Sequence, residues 1–138
     1  MEKFRGVDYF EVEELFTEQD RLMRDTARAF VDDQVLPIIR AHHRAGTCPT
    51  DLIPKMGALG FFGANLKGYG CAGVSNVAYG LMMQELERGD SAIRSCASVQ
   101  GALVMYPIQT FWQRGAARPM APGVGPWRGD RLFWPHRT

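Results

Sequence analysis

Lys67–Gln100, KGYGCAGVSNVAYGLMMQELERGDSAIRSCASVQ, is the stretch from which the fold is read. Ser75 is a good N-cap, because its hydroxyl accepts a first-turn backbone N–H, and it opens a predicted helix over Asn76–Arg88. Gly89 suits a left-handed helix exit. Asp90 then caps a second predicted helix, which runs through Arg94 and Val104 until Pro107. Gly89-Asp90 is therefore read as a tight reversal that makes the two helices an antiparallel pair. Arg94 falls in the first turn of the second helix, with Ser95 as its neighbour. A guanidinium matches a carboxylate by two parallel hydrogen bonds, and a helix N-terminus also favours an anion. The block reads as a site for an acidic group beside an apolar core. A solvated arginine, or one paired with a surface carboxylate, is the plain alternative.

Working outward, Thr17 followed by Asp20 resembles a capping box, with Asp in place of the usual Glu or Gln. Behind it Leu22, Met23, Ala27, Phe30, Val31 and Val35 recur at helical spacing as a core-facing stripe. Pro37 is expected to end or kink that helix. A polar link, AHHRAGTCP, leads to a short helix, DLIPKMGAL, capped by Thr50 and stopped by Gly60. Gly63 to Gly73 is a glycine-rich loop. Residues 1–16 read as an extended, partly docked arm, 17–111 as a helical domain and 112–138 as an irregular tail. Everything ordered is α, so the fold class is all-α, a helical bundle.

The 138 residues suit one domain with one core, and 46% hydrophobic with 22% charged residues is ordinary globular material. No apolar run approaches the ~18–20 residues of a membrane helix. A net charge of +1 points to no particular partner. The acidic N-terminus lacks the marks of a signal or transit peptide. Three cysteines, Cys48, Cys71 and Cys96, without CxxC spacing fit a reducing cytosol. The tail holds all three tryptophans, five arginines, one aspartate and no lysine, and its prolines and glycines erase any apolar period. It offers nucleic acid no folded platform.

Other constellations read plainly. The GYGCAG loop follows no predicted strand and lacks the Walker lysine, so it is a weak nucleotide motif and reads as an inter-helix loop. His42, His43 and Cys48 lack a fourth metal ligand, and the histidines read as solvated helix-end residues. Glu85 and Arg88 pair on a helix surface, while Glu85 and Glu87 diverge by about 200° and share no site. Met82, Met83, Met105, Phe61, Phe62 and Tyr79 read as core.

Three segments, DLIPKMGALGFFGANLKGYGCAGVSNVAYG, ELERGDSAIRS and SVQGALVMYPI, carry a resemblance that covers roughly Asp8–Phe111. Together they resemble the N-terminal helical domain of acyl-CoA dehydrogenases. The combination of KGYGCAG, ELERGDS and IRS followed by SVQ is similar to the glutaryl-CoA branch of that family. In that branch the residues matching Arg94 and Ser95 hold the distal carboxylate of the acyl chain. The resemblance implies an FAD-dependent flavoprotein, usually a homotetramer, that takes an acyl-CoA substrate and passes electrons to electron-transferring flavoprotein. A glutamate in a C-terminal domain removes the α-proton, the β-hydride goes to flavin, and loss of CO2 turns glutaryl-CoA into crotonyl-CoA. That base, and the middle β-domain with most flavin contacts, match no residue of this sequence. No catalytic, cofactor-binding or metal residue is assigned; Arg94 and Ser95 are the substrate-binding pair. A dehydrogenase of another acyl-CoA, or a non-catalytic helical fragment, is the alternative. A bacterial cytoplasm is the expected location, or the mitochondrial matrix in a eukaryote.

After YPI the family continues with a GSEEQ helix, a W/Y-L-P segment and GCFGLTEP, whereas this chain has Phe111 and then Trp112-Gln113-Arg114. Legal codons for residues 111–138, displaced by one base, spell FGSEEQRARWLPALARGEAIGCFGLTEP. That is the family segment, in order and without a gap. Synonymous codons are free to favour the match, but the amino acids restrict most first and second bases. With the family's usual aspartate next, the present frame meets a stop directly after Thr138. A one-base insertion, or an equivalent frame change, near codon 111 is the expectation. A chain so truncated is expected to be inactive.

Overall fold

Two long helices, each widened at its middle, organise the molecule. The computed structural model describes residues 9–111, and every regular element in that range is helical. Residues 112–138, for which a frame change is the expectation from sequence, lie outside the described residues. A 3-10 turn (Val12–Leu15) precedes α1 (Glu18–Phe30), a π-helical segment (Val31–Val35) and α2 (Leu36–Ala45). Then come α3 (Leu52–Ala58), α4 (Asn76–Gly89), α5 (Ser91–Ser98), a second π-helical segment (Val99–Met105) and α6 (Tyr106–Phe111).

Three caps expected from sequence are present. The Thr17 side chain accepts from Asp20 N while the Asp20 carboxylate accepts from Thr17 N, a complete capping box. Ser75 Oγ accepts from Ala78 N at 2.9 Å, and Asp90 Oδ1 accepts from Ala92 N and Ile93 N. Thr50 does not cap α3: Asp51 stands at that position and its side chain makes no capping bond.

Neither Pro37 nor Pro107 ends its helix. Each is the second residue of a new α-helical segment that directly follows a π-helical one. A proline ring clashes with the carbonyl four residues back, here Asp33 and Leu103, and both lie within the widened turns. The N–H groups just before the prolines, on Leu36 and Tyr106, reach five residues back to Val31 O and Gly101 O. The first long helix therefore reaches Ala45, where Gly46 (φ 65°) closes it and Thr47 N donates to His42 O at 3.0 Å. His42, His43 and Arg44 form its last turn rather than a link.

The core lies where α1 packs on α4 and α4 on α5. Ala27, Phe30, Val31 and Val35 of the expected stripe are buried and Met23 packs against them, whereas Leu22 points outward at 67% exposure. Phe61 is fully buried and meets Phe30 edge-on, ring centroids 5.6 Å apart. Met82, Met105 and Phe62 are buried, and Met83 and Tyr79 partly so.

Gly89 is not a left-handed exit but the last residue of α4. A Cβ there would lie 2.9 Å from Val31 Cγ1 and 3.3 Å from Val35 Cγ1. The glycine lets the end of α4 cross the first π-helical segment. An ordinary Gly→Ala change inside a helix stabilises by roughly 0.5–1 kcal/mol. Gly89→Ala should instead destabilise by about 1–3 kcal/mol, because a β-branched neighbour cannot swing away. Urea unfolding checks this by the midpoint at unchanged slope.

Candidate functional site

Arg94 stands in the first turn of α5, its own N–H bonded to Asp90 O at 3.1 Å. Its side chain is 37% exposed, and Nε donates to Glu87 Oε2 at 2.6 Å across the turn from α4. Nη1 lies 3.4 Å from Ser98 Oγ, one turn further along α5. The Arg94 guanidinium, followed by Ser91, holds the Glu87 carboxyl below its ordinary value. Burial pushes the Tyr79 phenol up, and the nearby Arg94 charge opposes this. The site thus combines an oriented guanidinium, a half-exposed carboxylate and two small hydroxyl residues on the edge of the core.

Ser95 is half-buried and its backbone carbonyl accepts from Ser98 Oγ at 3.1 Å. The sequence pairs Arg94 with Ser95, and the side chains found beside the guanidinium are Glu87 and Ser98. Ser98 is legible from spacing, since residues four apart share a helix face. Glu87 is not, because its approach depends on how α5 leaves α4 at Asp90.

Glu85 is not a surface partner of Arg88 alone. Its side chain is 5% exposed, and Arg28 from α1 donates to Oε1 at 3.1 and 2.7 Å while Arg88 Nε donates to Oε2 at 2.8 Å. Arg88 Nη2 also reaches Asp32 Oδ1 at 2.7 Å. Burial raises the Glu85 carboxyl, but the two arginines outweigh it and hold it below its ordinary value. This network ties α1 to α4, and Glu85 and Glu87 face different surroundings as their spacing requires.

Asp20 joins two caps: Oδ1 accepts from Ser75 Oγ and Oδ2 from Thr17 Oγ1. Those hydrogen bonds, Ser75 first, hold its carboxyl below the ordinary aspartate value. A depressed folded value stabilises above the unfolded one, and the benefit is lost as pH falls through the folded value. Stability should therefore drop below about pH 4. Asp20→Asn should flatten that drop, read as the unfolding midpoint between pH 6 and pH 3 (about three decades of proton concentration).

His42 Nδ1 lies 2.8 Å from Thr47 Oγ1, and His43 Nε2 lies 2.7 Å from Asp90 Oδ2. Among the described residues no cluster of His, Cys, Asp or Glu could hold a metal ion. Burial pushes the Cys71 and Cys96 thiols up. No described helix is long and apolar enough to cross a membrane.

Residues 17–114 match the acyl-CoA dehydrogenase N-terminal domain. The chain belongs to the acyl-CoA dehydrogenase family. A 3-(aryl)acrylate reductase of Clostridium sporogenes is 34% identical over 94 residues, covering 67% of this chain and 25% of the reductase. A glutaryl-CoA dehydrogenase from Mycobacterium smegmatis, solved in complex with FADH2, superposes with a TM-score of 0.79 at 37% identity. It covers 83% of this chain and 30% of its own. A second structure of glutaryl-CoA dehydrogenase from that organism gives 0.77 at 42% identity, over 82% of this chain and 30% of that one. The chain therefore spans between a quarter and a third of the length of these relatives.

Proposed function

We propose that this chain is the N-terminal helical domain of an FAD-dependent dehydrogenase of glutaryl-CoA type, in which Arg94 and Ser95 contact the distal carboxylate of the acyl group. The observation that carries the reading is Arg94. Glu87 engages Nε at 2.6 Å and Ser98 Oγ accepts from Nη1 at 3.4 Å. A second carboxylate would then take Nη2 and the other N–H of Nη1, with Ser98 yielding part of its contact. Likeness to the M. smegmatis glutaryl-CoA dehydrogenases at 37% and 42% identity supports the same substrate class. In this role the chain binds and orients the acyl end, with Glu87 aiming the guanidinium. Ser95, half-buried beside Arg94 in the chain, would add a hydroxyl to that contact.

FAD would accept the hydride in the whole enzyme. Within the described residues Gln100 Oε1 is the one buried side-chain oxygen lacking a hydrogen-bond partner, a lone acceptor that does not fit a group of that size. Most flavin contacts and the catalytic base are proposed to belong to the family's middle and C-terminal domains, which match no residue of this sequence. The complete enzyme is proposed as a homotetramer that reduces electron-transferring flavoprotein, in a bacterial cytoplasm or, in a eukaryote, the mitochondrial matrix. The 30% identity over 117 residues to a short-chain specific acyl-CoA dehydrogenase of Bos taurus favours a second reading, a dehydrogenase of another acyl-CoA.

Expression of the full-length reading, with the frame restored, tests the proposal. The expected product is yellow and releases CO2 from glutaryl-CoA. Turnover of butyryl-CoA in preference to glutaryl-CoA would favour the second reading.

A further inference from the structure

We propose that His43 is a positioning residue for Arg94, acting through Asp90. The inference rests on the reading of Arg94 as a carboxylate contact. Asp90 supplies the whole start of α5: Oδ1 accepts from Ala92 N at 2.9 Å and Ile93 N at 3.1 Å, and its backbone carbonyl accepts from Arg94 N at 3.1 Å. Its remaining oxygen, Oδ2, meets His43 Nε2 at 2.7 Å. The Asp90 side chain is 6% exposed while that of His43 is 65% exposed, so loss of the imidazole would open Oδ2 to water in place of a fixed donor. The carboxylate would rotate toward that water, and Oδ1 would leave the two N–H groups it caps.

The histidine reaches this position from the far end of the other long helix. It lies in the last turn of α2, which extends that far only because the first π-helical segment carries the chain past Pro37. The backbone of Arg94 is thus fixed from α2 through Asp90, and its guanidinium from α4 through Glu87. Two independent holds on one arginine suit a residue that must present a fixed fork to a carboxylate.

Hydrogen exchange read by mass spectrometry on the 138-residue chain tests this. In His43→Ala the amides of Ala92 and Ile93 should exchange at least about fivefold faster, the scale of losing one cap. The amide of Ala78, capped by Ser75, should not change. His43→Gln, which keeps a side-chain N–H donor, should restore protection, and Asp90→Ala sets the full loss. Exchange at Ala92 and Ile93 within about twofold of the unsubstituted chain in His43→Ala would overturn the proposal. Equal acceleration at Ala78 would overturn it too, since His43 would then support the whole fold. No substrate enters this experiment, so its failure is separate from failure of the carboxylate reading.

Discussion

Arg94→Ala in the frame-restored enzyme is expected to lower kcat/KM for glutaryl-CoA by about 100-fold, while butyryl-CoA changes by less than about threefold. A hydrogen bond to a charged group contributes roughly 1.5–3 kcal/mol, and a two-pronged guanidinium–carboxylate contact lies toward the upper end. The plain thioester has no distal carboxylate, so it should not register the loss. Arg94→Lys should recover only part, because a single ammonium cannot reproduce the fork. Steady-state kinetics with both thioesters decide the matter. Equal losses for the two would mean that Arg94 serves the fold through Glu87 rather than the substrate.

The second large effect falls on stability. Replacing Arg28 and Arg88 together by methionine leaves the buried Glu85 carboxylate without the two guanidinium groups that hold it. Stranding one member of a buried pair costs roughly 3–5 kcal/mol, and about 3 is expected because both arginines are nearly half exposed. The pH dependence should also reverse for this group. At present the Glu85 carboxyl is held below its ordinary value, so its contribution is present near neutrality and lost in acid. Without the arginines burial alone acts and raises the folded value. The variant should then recover stability as the pH falls through that raised value. Urea titrations at several pH values show either opposite slopes, as expected, or parallel ones, which would mean that Glu85 already finds its solvation in water.

Residues whose meaning is local are legible in the sequence itself. The Thr17 box, the Ser75 cap and the Asp90 cap each act within three residues of themselves, and all are present. One local cap, Thr50, is misread, since Asp51 stands at that position; the other misreadings fall where a distant partner decides. Pro107 carries an ordinary stop signal and Pro37 a stop-or-kink one, yet an α-helical segment resumes at each proline after a widened turn. Gly89 reads as a backbone device when it is a steric one, and nothing near it in sequence reveals Val31 and Val35. Glu85 shows its neighbour Arg88 but hides Arg28, fifty-seven residues away. For the candidate site, residue type and helix position mark Arg94 but leave a surface ion pair as an equal alternative, and the resemblance to the glutaryl-CoA branch is what singles it out. Its ion pair with Glu87 needs the geometry of the turn at Asp90.

The measurement that bears most directly on the proposed enzyme and on the frame change is the nucleotide sequence of its gene, from codon 105 through the downstream region. The expected result is a second frame, displaced by one base near codon 111, that continues through GSEEQ and GLTEP into a flavin-binding domain and a C-terminal helical domain. A gene in which the frame seen here stands, with no dehydrogenase sequence downstream, would contradict it and leave a free-standing helical domain.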